Sequence, residues 1–346
     1  MKGLALSLKF RKLLAKITFL AVLLSAGAVH AADWAVVLMY HRFGESEYPS
    51  TNIRLDQFEA HIQTLKEMGV TVLPLGKVVD ALKTGEELPD KTVVITVDDG
   101  YLSVYKEAWP RLKAAGFPFT IFASTNQLSG GQGDYMNWDQ LKEMVDGGGV
   151  YVGHHGASHA HLPRLSLDQV RDDILKANET FKERLGFVPA IFAYPYGEYG
   201  SDIKSLIADL GFKAAFGQHS GVSYSGWDEY EYPRFPLNEN YGNIGRLKLA
   251  AQAMPLRVRN VLPSDNILKV NPPNFGFTID ENYKNISQLN CYSGNRISSL
   301  QRLGVNRIEV RLGQPYAPGR ARINCTLPGP DGRYRWFGTL FYIPRN

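Results

Sequence analysis

The chain of 346 residues has only two cysteines, Cys291 and Cys325, and neither has neighbours at metal-ligand spacing, which argues against a metal role for them. It also lacks an apolar run of the ~20 residues that a spanning helix needs. The most apolar stretch, Ile17 to Val29, stops short of that length. No internal repeat and no low-complexity tract interrupts the chain. The formal net charge of +4 does not reflect a basic fold. Lys2, Lys9, Arg11, Lys12 and Lys16 precede the apolar stretch, and Val29-His30-Ala31 offers a small-x-small cleavage site before Ala32, so residues 1–31 read as a secretory signal peptide, with an uncleaved anchor as the alternative. Removing that segment takes away five of the 38 basic residues and none of the 34 acidic ones, leaving a net charge of −1. Nothing then resembles the clustered basic face of a nucleic-acid binder. The sequence predicts an exported protein, periplasmic or secreted, with no stable membrane span after cleavage. Such a compartment would oxidise Cys291 and Cys325 to a disulfide.

What is present is a repeated alternation of strand and helix. Short β-branched runs occur at 35–40, 70–75, 92–97, 119–124, 150–154, 190–195 and 213–217. Between them lie amphipathic patterns: Leu55, Phe58, Ile62 and Leu65 recur at three and four residues, and another pattern opens on Ser166 and closes on Gly186. Repetition in this order implies a parallel sheet. Seven such units predict an α/β fold, a distorted (β/α) barrel over residues 32–255. After one more helical pattern in "YGNIGRLKLAAQAMPL", proline, asparagine and glycine become frequent between short strand-like runs, which predicts a small β domain over 256–346, of unknown role.

In a parallel barrel the active site lies at the C-terminal ends of the strands. His41 follows the first predicted strand, Asp98 and Asp99 the third, His155 and His159 the fifth, and Pro195-Tyr196-Gly197 ends the sixth. Taken singly, Asp-Asp-Gly after a strand is often a cap and turn, and a histidine pair four apart is often surface decoration. Their joint placement at one mouth carries the functional reading. Two imidazoles and one carboxylate describe a divalent metal site with positions left open for water. Asp99 is then the third ligand beside His155 and His159. Two adjacent carboxylates would each resist ionisation, but a cation held by Asp99 relieves that and leaves Asp98 free as a base toward the attacking water. The chemistry implied is hydrolysis of an amide or ester.

At these residues the sequence resembles the polysaccharide deacetylase family, the family 4 carbohydrate esterases that share the NodB homology domain. "TVDDGY" at 96–101 is similar to the family's first motif, in which the first Asp is the base and the second binds metal. "GHHGASHAHL" at 153–162 is similar to its second, with His155 and His159 in the ligand positions. The third motif departs from the family: "AYPYG" has Ala193 where an arginine that orients the base would stand, and Arg234 in "YPRF" is the candidate to supply that guanidinium. The late Leu-x-His motif is missing as well. "LMYHRF" at 38–43 and "FAYPYG" at 192–197 resemble the branch that includes periplasmic poly-N-acetylglucosamine deacetylases, which makes His41 the candidate general acid.

The resemblance implies a metal-dependent polysaccharide N-deacetylase, a hydrolase of carbon–nitrogen bonds other than peptide bonds, that acts on polymers of N-acetylglucosamine and releases acetate. It implies zinc as the metal, although cobalt or nickel would suit the same ligands. The backbone N–H of Tyr196 would stabilise the oxyanion, and Trp34, Tyr48, Tyr101, Trp138, Tyr194, Tyr199 and Trp227 are the aromatics considered for stacking on sugar rings. The alternatives are a non-catalytic carbohydrate-binding protein on the same scaffold and an O-acetyl esterase.

Overall fold

The computed structural model describes residues 31–130, 133–294 and 296–345. The expected leader, apart from Ala31, lies outside the described residues. Strand β1 (Trp34–Tyr40) is buried on both faces beyond its first residue, and β2 (Thr92–Asp99) is buried along its whole length. Near-continuous Val, Ile and Leu is what a parallel strand covered on both sides requires. Four further strands follow: β3 (Phe119–Ala123), β4 (Val150–His154), β5 (Ile191–Ala193) and β6 (Ala214–Phe216). Each from β2 onward lies parallel to its predecessor, so spatial order from β6 back to β1 repeats chain order. A last strand, β7 (Ser223–Tyr224), runs antiparallel on the far side of β1.

Helices connect the strands, among them α1 (Leu55–Glu67), α2 (Leu75–Thr84) and α3 (Leu167–Leu185). Ser166 caps α3 by a reciprocal pair: its Oγ accepts from the N–H of Gln169, and Gln169 Oε1 accepts from the N–H of Ser166. The run at 70–75 departs from the sequence reading. Only Thr71–Val72 pairs, against β2, because Pro74 has no N–H for a ladder and its fixed φ instead opens α2 at Leu75.

The two ends of this sheet do not pair with each other. The gap is spanned by the segment Tyr232–Pro236: Tyr232 bridges Phe216 on β6, and β8 (Phe235–Pro236) pairs in parallel with Leu38 and Met39 of β1. The sheet is thus a curled, incomplete α/β barrel, and Arg234 sits in the segment that spans it.

The C-terminal strands form two further sheets. One contains β9 (Phe275–Ile279) and β11 (Arg307–Arg311), and the other contains β10 (Asn290–Ser293), β12 (Gly319–Pro328) and β13 (Tyr334–Ile343). Phe275, Phe277, Ile308, Val310, Ile323 and Phe341 fill the core between them. Cys291 on β10 lies opposite Cys325 on β12, and the two form a disulfide. These sheets and the curled sheet belong to one compact unit.

Candidate functional site

β2 carries Asp98 and Asp99 at its last two positions, where successive side chains point to opposite faces. Asp99 turns outward at φ 74°, and Gly100 follows at φ 78°. After β4 the chain makes a loop, His155–His159, held from two sides. The His155 N–H donates to the Ala123 carbonyl at 3.1 Å. From α3, the carboxylate of Asp173 accepts from the N–H groups of Ala157 and Ser158 at 2.9 and 3.0 Å. Gly156, at φ 75°, passes so close that an added Cβ would stand 2.7 Å from Asp173 Oδ2.

The loop places His155 Nε2 at 3.4 Å and His159 Nε2 at 3.0 Å from Asp99 Oδ1. Asp99, His155 and His159 offer ligand atoms that all lie within 4.8 Å of one another. His155 Nδ1 lies 2.7 Å from the Ala193 carbonyl, so that nitrogen carries the proton and Nε2 presents a lone pair to Asp99. Asp99 Oδ1 and His155 Nε2 are buried without a hydrogen-bond partner. Orphaned polar atoms of this kind cost free energy unless something satisfies them, and a lone pair facing a carboxylate calls for a cation. The donor set therefore fits a divalent metal.

Asp98 is in a different environment. It is fully buried, and Arg234 grips it with two parallel bonds, Nη1 to Oδ1 at 2.6 Å and Nη2 to Oδ2 at 2.8 Å. The guanidinium is itself fixed, since its Nε donates to the Gly217 carbonyl at 3.0 Å. Burial raises the pKa of Asp98, yet Arg234, with His155 and His41, brings it below the ordinary carboxylate value. His41 Nε2 lies 3.8 Å from Asp98 Oδ2. Burial lowers the pKa of His41 against the opposing pull of Asp99 and Asp98, which keeps the imidazole neutral at neutral pH.

His41, Asp98, Asp99, His155, His159, Tyr196 and Arg234, the seven site residues expected from the sequence, thus lie in one place. Above them opens a cavity of about 620 Å³ that His41, Asp99, His159 and Tyr196 line. Of the seven aromatics considered for sugar stacking, Tyr101 alone lines it. The others pack elsewhere: Tyr194 stacks on Tyr199 within the core, Trp138 meets Phe181 edge-on, and Trp227 meets Phe337. Two contacts escaped the sequence reading. His161 stacks on Tyr196 at 3.9 Å and pairs through Nδ1 with Glu198 at 2.7 Å, and the C-terminal strand β12 contributes Arg320, Arg322 and Asn324 to the cavity wall. Glu198 directly follows the Pro-Tyr-Gly turn, the one local signal that could have drawn attention to it.

Comparison with known proteins gives a consistent result. The polysaccharide deacetylase family model matches residues 85–215. The chain is 30% identical to IcaB from Ammonifex degensii, a solved structure, over 64% of this chain and 98% of that one, with a TM-score of 0.57. It is 24% identical over 233 residues to the poly-β-1,6-N-acetyl-D-glucosamine N-deacetylase of Staphylococcus aureus (strain MRSA252), covering 64% of this chain and 79% of the relative. It is 26% identical over 187 residues to YxkH of Bacillus subtilis (strain 168), which is 54% of this chain and 65% of that relative, just under two thirds of its length. No helix among the described residues is long and apolar enough to cross a membrane.

Proposed function

The chain belongs to the polysaccharide deacetylase family, and on that premise we propose that it is a metal-dependent N-deacetylase, which removes acetyl groups from an N-acetylglucosamine-containing polysaccharide and releases acetate. One observation carries the proposal. Two adjacent carboxylates occupy opposite environments, Asp99 facing two imidazoles with an orphaned oxygen, and Asp98 clamped by a guanidinium and left free of the triad.

Asp99, His155 and His159 would hold the ion, which by its donors we take to be zinc. When bound, it would acidify a water and polarise the acetamido carbonyl. Asp98 accepts the proton of the attacking water, and the Arg234 fork fixes the direction of its lone pairs. The backbone N–H of Tyr196 supports the oxyanion. His41, at the cavity wall and 3.8 Å from Asp98, is neutral at rest, takes up the proton that Asp98 received and passes it to the departing nitrogen. The name of the Staphylococcus aureus relative supports an N-acetylglucosamine polymer as substrate. The disulfide suits an exported protein, periplasmic or secreted. On this reading residues 32–255 carry the chemistry, and the small β domain over 256–346 walls the substrate cleft.

The test is acetate release from N-acetylglucosamine oligomers by the wild type and by Asp98→Asn. Asp98→Asn should retain its metal and lose about 10²–10⁴-fold in turnover, the usual worth of a positioned base. Retained turnover would remove Asp98 from the reaction. Release from O-acetylated xylan alone would make the protein an esterase.

A further inference from the structure

One part of the cavity wall is cationic, and its charge is not balanced by the protein. Arg246, Arg320 and Arg322 all line the cavity, whereas the one carboxylate among the lining residues is Asp99. Arg320 has a partner, with Glu198 at 3.7 Å. The other two have none: among the described residues, neither Arg246 nor Arg322 has a carboxylate within 4.0 Å. Their hydrogen-bond partners are neutral. Arg322 Nε donates to the Gln218 carbonyl at 3.0 Å, and Arg246 Nη2 reaches Ser220 Oγ at 3.3 Å. Arg246 Nε is buried with no partner at all.

Both guanidiniums are half-buried and held in place. Arg246 packs against both Trp336 and Phe235, its Cζ 5.0 and 5.5 Å from their ring centres. Arg322 alternates along β12 with Ala321 and Ile323, which face the core, so it, Arg320 and Asn324 form a row on the cavity side. Removing an unpaired charge from water is costly, and burial with the neighbouring charge of Arg320 lowers the pKa of Arg322 to about 10. A cation at the triad would make the cavity more positive still. A planar fork that is fixed, partly dehydrated and without a carboxylate suits an incoming oxyanion.

We propose that this cavity selects an anionic glycan: an N-acetylated polysaccharide whose acidic group docks on Arg246 and Arg322 while an acetamido group reaches the triad. The inference rests on the deacetylase reading for the second half of that statement and on the arginine wall for the first. A carboxylate and a sulfate share the required chemistry. The same wall repels the ammonium group that deacetylation creates, which favours product release.

Chitohexaose, its C6-carboxylated form and its 6-O-sulfated form share linkage and acetamido groups and differ in charge. Their dissociation constants would be measured by calorimetry with the wild type and with the Arg246→Gln/Arg322→Gln double variant, with acetate followed in parallel. At least one charged hexamer should bind 10-fold or more tighter than the neutral one, and the preference should fall below 3-fold in the double variant. Arg322→Gln alone, which leaves Arg246 in place, should lose part of the preference if the double variant does not fold. The better charged ligand identifies carboxylate or sulfate as the group recognised. Equal binding of neutral and charged hexamers, failure of both charged hexamers to bind, or a preference that survives the substitutions would overturn the inference. Preferential binding without acetate release would uphold it and remove the deacetylase reading, while equal acetate release from all three would do the reverse.

Discussion

Three non-glycine residues at the cavity have positive φ: Asp99 at 74°, His159 at 54° and Tyr196 at 59°. Left-handed backbone costs an ordinary side chain on the order of 1–3 kcal/mol and persists where surrounding structure over-determines it. Here it places a carboxylate, an imidazole and a tyrosine on the wall of one cavity. The grouping of Asp99, His155 and His159 was legible because these residues lie in short local motifs at strand ends. Arg234 was reached by a longer route, from the alanine at 193 and the need for a guanidinium near Asp98. Asp173 and Glu198 were not legible, since each acts on a residue that the chain brings to it only on folding. Arg234→Ala would leave Asp98 buried with no partner. It should cost about 3–5 kcal/mol of stability and lower turnover, and thermal melts with acetate assays check both. Unchanged turnover in a folded Arg234→Ala protein would exclude a positioning role.

At the scale of elements, the loop after β4 depends on a helix that supplies no ligand. Asp173 on α3 ties down two of its backbone N–H groups. Supports of this kind typically affect metal affinity by about 10–100-fold. Asp173→Ala should therefore weaken zinc binding by that factor in a competition titration, with Asp99, His155 and His159 intact, and an unchanged affinity would mean the loop holds its shape unaided. The alternation in "RARINCTL" marked a strand, and its arginines were visible, but the surface they face is set by the pairing of β12 with β13 and by the packing of both on the barrel. No local pattern encodes that. The run at 70–75 looked like a full strand because its residues are apolar, and Pro74 decided otherwise.

At the scale of the whole molecule, two histidines away from the triad are sealed inside. Burial, with Arg322 and Arg234 nearby, pushes His219 down to about 3, and burial lowers His61 as well. In the unfolded chain both titrate near 6.5. Below that pH the unfolded state binds more protons than the native one, so both groups contribute stability that is present above about pH 6.5 and is lost as pH falls; for His219 the loss continues toward pH 3, by up to about 1.4 kcal/mol per pH unit. Thermal melts between pH 7 and 4 should decline accordingly, and His219→Gln should make the decline shallower; an equal slope would show that another group governs it. The two neighbouring aspartates divide metal binding from base catalysis, and zinc titration of chelator-stripped protein separates the two roles. One tight equivalent is expected for the wild type and for Asp98→Asn, and loss of that equivalent in Asp99→Asn. Tight binding that survives Asp99→Asn, or disappears in Asp98→Asn, would contradict that division.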